Sequence, residues 1–186
     1  MGETHELVTS KYRVVTEQVG HHPPETAYFM DSENYEQFSC TKNSASFNGR
    51  YLIIAPKNNL YINLKLPGGK VENYSWTVPQ TAVHNLLIGK MYVDIRGHTR
   101  ITNHTTGDIC DIEWKERTWS GKNANCYEGI VKNPQGIPKF KVWGNFTEEI
   151  YMLDLSDPNA KEELMFRIRE KPANSEYFYN FSLFAM

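Results

Sequence analysis

The sequence predicts a mainly β protein: an antiparallel meander forming an incomplete or partial β-barrel, with one or two short helices. Three observations lead there. Aromatic residues make up 13% of the 186 positions, with Tyr 11 and Phe 9. They fall in short runs interrupted about every eight to fifteen residues by Gly, Pro, Asn or Asp, the spacing of strands and turns. Only two segments carry local helix signals.

A first strand is expected over Tyr12 to Val19, and a second starting near Tyr35. Arg50 to Ala55 and Leu60 to Leu66 are separated by Pro56-Lys57-Asn58-Asn59, and the second run alternates apolar with polar, so the pair reads as a hairpin. Pro67-Gly68-Gly69-Lys70 then leads into Val71 to Val78, whose last residue is pushed to an extended conformation by Pro79. Further strands are expected at Met91 to Ile95, Thr99 to Asn103, Ile109 to Trp114, Cys126 to Val131 and Phe140 to Phe146. Turn signals at Arg96-Gly97-His98, Thr106-Gly107-Asp108, Ser120 to Asn123 and Asn133 to Gly136 join them. Short connections make neighbours antiparallel, and so many strands hide their edges most simply by curling. The helices are expected at Thr81 to Gly89, which ends in Gly, and at Asp157 to Arg169, where Asp157 caps and Pro158 takes the first helical position.

Composition narrows function. Lys+Arg 20 against Asp+Glu 22 leaves a formal net charge of -2, with no overall positive field for nucleic acid, so any anion site is local. No apolar run approaches the ~20 residues of a membrane-spanning helix. The start, Met1 to Glu6, has neither the basic nor the apolar stretch of a signal peptide, so a cytosolic protein is expected. Cys40, Cys110 and Cys126 have no CxxC or Cys/His spacing and read as free thiols. Residues 1–186 read as one unit, without internal repeats or linkers.

The most unusual stretch is Glu17-Gln18-Val19-Gly20-His21-His22-Pro23-Pro24. Two prolines remove two backbone donors, so the strand stops or bends just past the imidazoles. Neighbours on a strand point to opposite faces, so His21 and His22 can meet one ligand only if the backbone turns there. Imidazoles donate hydrogen bonds to phosphate, and a phosphomonoester dianion favours their charged form. From the residues alone, the competing reading is a turn that satisfies only its own loop. Zinc would need a third ligand at helical or hairpin spacing, which is missing, so no metal is expected. No nucleophile elbow or phosphate-binding glycine loop is present, so neither an enzyme nor a cofactor is expected.

This stretch resembles the signature of the oxysterol-binding protein family, in which Gly20 is usually Ser. The resemblance continues through Tyr74 to Pro79, Asn85 to Gly89, Thr106 to Cys110 and Val142-Trp143-Gly144, and into Tyr177 to Met186. It implies a lipid-exchange domain: a large β-barrel around one lipid, with His21 and His22 at its mouth grasping the 4-phosphate of phosphatidylinositol 4-phosphate. Glu17, Gln18, Pro23 and Pro24 complete the signature as structural residues. That lipid would be exchanged for a sterol or another phospholipid between membranes, with peripheral contact at sites that include the endoplasmic reticulum, and with no covalent step. Thr41 and Lys42 fall where family members place lipid-facing polar groups.

The family's lid, its Asn and Lys before the histidines and its basic C-terminal segment have no counterpart in this sequence. Of the phosphate-binding set, only His21 and His22 carry over. Two histidines without a fixed cation grip a dianion less strongly than a cluster holding Lys and Arg. The alternative expectation is a lidless sensor or scaffold at membrane surfaces. Trp76, Trp114, Trp119 and Trp143 are expected in strands as barrel wall, His84, His98 and His104 as solvated or locally bonded, and the charged stretches from Lys161 to Glu163 and Arg167 to Lys171 as solvated surface.

Overall fold

A computed structural model describes residues 1–181. Fourteen strands form one sheet: β1 (Thr4–Val8), β2 (Tyr12–His21), β3 (Pro24–Ser32), β4 (Tyr35–Phe47), β5 (Tyr51–Pro56), β6 (Asn59–Lys65), β7 (Val71–Thr77), β8 (Gln80–His84), β9 (Tyr92–Asn103), β10 (Ile109–Trp114), β11 (Cys126–Lys132), β12 (Pro138–Asn145), β13 (Glu149–Asp154) and β14 (Glu163–Arg167). Every pairing is antiparallel, and sequence neighbours pair almost throughout, so the expected meander is present.

The Pro56 to Asn59 hairpin is not. β5 pairs with Asn43 to Phe47 of β4 and β6 with Tyr35 to Phe38, in one unbroken register, so they are two halves of a single long strand. The break is bridged back to β4: the Lys57 amide donates to the Lys42 carbonyl at 2.8 Å, and the Ser39 hydroxyl donates to the Asn59 carbonyl at 2.8 Å. A polar tetrapeptide with one proline suits a strand interruption as well as a turn, and these cross-strand bonds decide between them. β7 and β8 are likewise two halves of one strand on β9, broken at Val78-Pro79. These breaks create a ring of pairings from β4 to β9, while β1 and β14 stay at the ends of the order.

Both expected helices are replaced by strands. Gln80–His84 is laddered to β5 on one side and β9 on the other, which satisfies its backbone on both edges. The chain then turns at Asn85 (φ 59°) and Gly89 (φ 95°), and the Asn85 side-chain amide donates to the Lys90 carbonyl at 3.0 Å. In the second segment Asp157 holds a short turn, accepting from the Asn159 amide at 2.9 Å, and Glu163–Arg167 then pairs with β13. Among the described residues, the helical turns that form are 3-10 turns at Pro67–Gly69 and Ser175–Phe178. The expected turn at Arg96 to His98 is also absent. β9 runs straight through it, and Gly97 (φ 93°) absorbs the bend between the β8 and β10 ladders.

Cross-strand register sorts the side chains. Val14, Met30, Ile62, Trp76, Ile101, Ile112, Phe140 and Met152 share one face, which is apolar. The other carries ion pairs such as Arg13–Asp31 (3.3 Å), Arg100–Asp111 (2.7 Å) and Lys115–Glu128 (2.6 Å). The apolar face is only half-covered, and among the described residues Ala82 and Ile112 are the buried hydrophobic core. Accessible surface is 13233 Å², against about 9200 Å² expected for a compact chain of this mass.

Candidate functional site

β2 ends at His21 and β3 begins at Pro24, so His22 and Pro23 are the whole loop of a two-residue hairpin. The turn required for two adjacent imidazoles to meet one ligand is therefore present. The two rings lie 4.3 Å apart between centroids and are tilted by 48°, and both residues are exposed.

A feature the sequence did not announce decides where they point. Gln18 faces Thr26, but Gly20 faces Glu25, leaving Val19 as a bulge. Arg13, Val15 and Glu17 lie on the polar face. Strict alternation would put His21 there too, but the extra residue flips it, opposite Pro24, to the apolar side. The Gln18 side-chain amide spans the bulge, donating to the Gly20 carbonyl at 3.3 Å.

Gly20 stands where the resembled signature usually has Ser, a side chain with a hydroxyl donor. In the fold it is also a packing requirement: a Cβ there would meet Cβ of Glu25 at 2.9 Å and the Pro23 carbonyl oxygen at 3.3 Å. Glu25 in turn pairs with Lys42, its cross-strand neighbour on β4. Lys42 thus lies on the polar face with its charge engaged. Thr41 lies on the apolar face, its hydroxyl donating to the Thr26 carbonyl at 3.1 Å. Register therefore separates these two residues, which the family resemblance had grouped as lipid-facing: Lys42 is on the other face. Of the signature's structural residues, Glu17 is exposed on the polar face and Pro24 opens β3 opposite His21.

The other singled-out residues divide. Trp76, Trp114 and Trp143 are in strands, whereas Trp119 stands fully exposed in the 115–125 loop. His104 bonds locally, its Nε2 lying 2.7 Å from the Ser75 hydroxyl. His84 is not solvated as expected: it stacks between Tyr51 (4.9 Å) and Tyr92 (4.6 Å), with a buried Nε2 that has no partner among the described residues. The signal missed was an alternating Tyr-His-Tyr row across three strands, invisible until β5, β8 and β9 are aligned. The charged stretches around Lys161 and Lys171 are exposed as expected, and the three cysteines are free. No helix among the described residues is long and apolar enough to cross a membrane.

The sequence model described as oxysterol-binding protein matches residues 1–186. The chain belongs to the oxysterol-binding protein family. The oxysterol-binding protein homolog 1 of Saccharomyces cerevisiae is 34% identical over 81% of the chain, and the human oxysterol-binding protein-related protein 1 is 28% identical over all of it. The chain spans 13% and 24% of those two proteins. Among solved structures, the Osh1 ORD domain in complex with ergosterol superposes with a TM-score of 0.83 at 28% identity, covering 92% of this chain and 44% of that one. The same domain in complex with cholesterol gives 0.82. Membership agrees with the meander. The segments of Tyr177 to Met186 beyond 181, including Phe184 and Ala185, lie outside the described residues.

Proposed function

We propose that this chain binds a membrane lipid against its apolar face and moves it between membranes, exchanging a sterol or another lipid for phosphatidylinositol 4-phosphate without a chemical step. The observation that carries the reading is the Val19 bulge, which turns His21 to the apolar side beside His22 at an exposed hairpin tip. Acyl chains or a sterol lie along apolar side chains, while the two imidazoles donate hydrogen bonds to a phosphate at the sheet end. Thr41, on the same face, is a polar contact for the lipid; Lys42 serves by holding Glu25 beside the turn. The sterol half draws support from the Osh1 domain complexes at 28% identity. The phosphoinositide half draws it from the histidine motif.

Liposome extraction with labelled sterol and labelled phosphatidylinositol 4-phosphate tests this. His21→Ala/His22→Ala should lose phosphoinositide extraction by roughly tenfold or more, as expected for two lost charge-assisted bonds, while sterol uptake persists. Equal phosphoinositide extraction by the variant and the parent would remove the head-group role. A second reading, a sensor or scaffold that holds the apolar face against a partner without transport, is favoured by the uncovered area of that face. Stoichiometric lipid in native mass spectrometry of the purified chain separates the two, since a scaffold would carry none.

A further inference from the structure

The strand registers assign every loop to one of two ends of the sheet. The His22-Pro23 loop shares its end with 48–50, 85–91, 115–125 and 146–148. From β3 across β4 and β5 to β8 is three strand spacings, about 14 Å along the sheet. A cluster separate from the histidine hairpin therefore occupies the same end.

That cluster is layered. Ala82 (0% exposed) and Asp94 (4%) are the most buried pair among the described residues. The 115–125 loop folds over them: the Arg117 amide donates to the Asp94 carboxylate at 3.3 Å, the Arg117 guanidinium lies 4.9 Å from the Tyr92 ring centre, and Glu116 pairs with Arg96 at 3.7 Å. Between loop and strands lies a cavity of about 420 Å³, lined by Arg50, His84, Lys90, Tyr92, Arg117 and Trp119 among others, with no carboxylate in its lining. The His84 ring lines this wall, its partnerless Nε2 buried. Arg50, Lys90 and Arg117 converge there with no carboxylate among the lining residues, the surroundings an anion would complete.

The rim of the cavity is the opposite of polar. Leu87 (82% exposed), Ile88 (87%), Met91 (62%) and Trp119 (103%) project from the two loops that form it. The half-covered sheet face does not account for them, because they sit at loop tips beyond the last ladder bonds. Apolar tips with an exposed Trp, flanked by Lys and Arg, match the layering of a bilayer interface: hydrocarbon, then glycerol level, then phosphate. A soluble anion would use the cations and leave the tips without a purpose.

We infer that the 85–91 and 115–125 loops form a docking surface for an anionic lipid bilayer, with Leu87, Ile88 and Trp119 entering the interface and the Arg50, His84, Lys90 and Arg117 cavity receiving a lipid phosphate. This surface is distinct from His21 and His22 and stands whether or not they hold cargo.

Flotation of the full chain with vesicles of phosphatidylcholine alone, and with 30 mole per cent phosphatidylserine, tests it. The parent should bind the anionic vesicles, with a blue shift in tryptophan emission that Trp119→Phe removes. Arg50→Glu/Lys90→Glu, both at exposed positions, should weaken binding by about tenfold or more, as should Leu87→Ser/Ile88→Ser. Far-ultraviolet circular dichroism confirms that each variant is folded. His21→Ala/His22→Ala should dock like the parent, so failure of the cargo reading and failure of this one are told apart. Vesicle binding that survives both loop variants, or a parent that ignores anionic vesicles, overturns the proposal. So does inorganic phosphate protecting the chain against heat as well as the vesicles do, because a free anion would then suffice.

Discussion

At the scale of single residues, Glu72 shows how this sheet spends its charges. Its carboxylate accepts from the Lys70 ammonium at 2.6 Å, the Tyr74 hydroxyl at 2.7 Å and the Asn103 amide at 3.1 Å. Those bonds, Lys70 first, hold its pKa at about 2. Tyr74 is pushed up to about 12, chiefly by burial and then by its bond to Glu72. A carboxyl with a folded pKa below its unfolded value of about 4.3 stabilises the fold above that value, and loses the contribution as pH falls toward 2. The denaturation midpoint should therefore fall between pH 5 and pH 2, and Glu72→Gln should be less stable at pH 6 with a flatter acid limb. Equal acid slopes for the two proteins in urea titrations would refute the assignment. Burial, and then Asp111, push the Cys110 thiol up to about 11, which disfavours its thiolate.

At the scale of elements, the β2–β3 hairpin depends on a single extra residue. Val19 carries no chemistry, yet as the extra residue it lets Glu17 lie on the polar face and His21, four residues on, on the apolar one, where a side-chain period of two would give them the same face. Deleting Val19 should leave Gly20 opposite Glu25 and His21 opposite Pro24 in plain alternation, because the lost residue and the lost bulge cancel, while the Arg13–Asp31 and Glu25–Lys42 contacts on neighbouring strands persist. The expected result is phosphoinositide extraction close to the parent's, with an unchanged β-sheet circular dichroism spectrum. Loss of extraction comparable to that of His21→Ala would show that the bulge itself, and not the face His21 occupies, positions the imidazole. The same parity explains why Thr41 and Lys42, adjacent in sequence, meet different surroundings. It also explains why Gln80–His84 is a strand despite its mild helical composition: two ladders outweigh a propensity of a few tenths of a kcal/mol per residue.

At the scale of the whole molecule, the decisive quantity is surface. An accessible area of 13233 Å² is some 4000 Å² above the roughly 9200 Å² of a compact chain of this mass, and the sheet's apolar face has no second layer among the described residues. The free chain should bind a hydrophobic dye such as anilinonaphthalene sulfonate strongly, and loading with sterol should displace it. Weak dye fluorescence in the lipid-free chain would mean that the face is already closed. An exposed face of this kind is what a lipid carrier needs at the moment of exchange, and a hazard at other times.

What the sequence by itself determined was the strand-and-turn rhythm, the family motif and the identity of the paired histidines, since these depend on local composition and on neighbours within eight residues. Ile109 to Trp114 is recovered to the residue for that reason. Only the tertiary structure decided that Pro56 to Asn59 and Val78-Pro79 interrupt strands instead of turning them, that Val19 is a bulge, and that His84 closes a basic cavity between three strands and a loop. Each of these depends on the residue lying across the ladder, and cross-strand partners stand far apart along the chain: Arg96 reaches Tyr51, and Lys65 reaches Asp31.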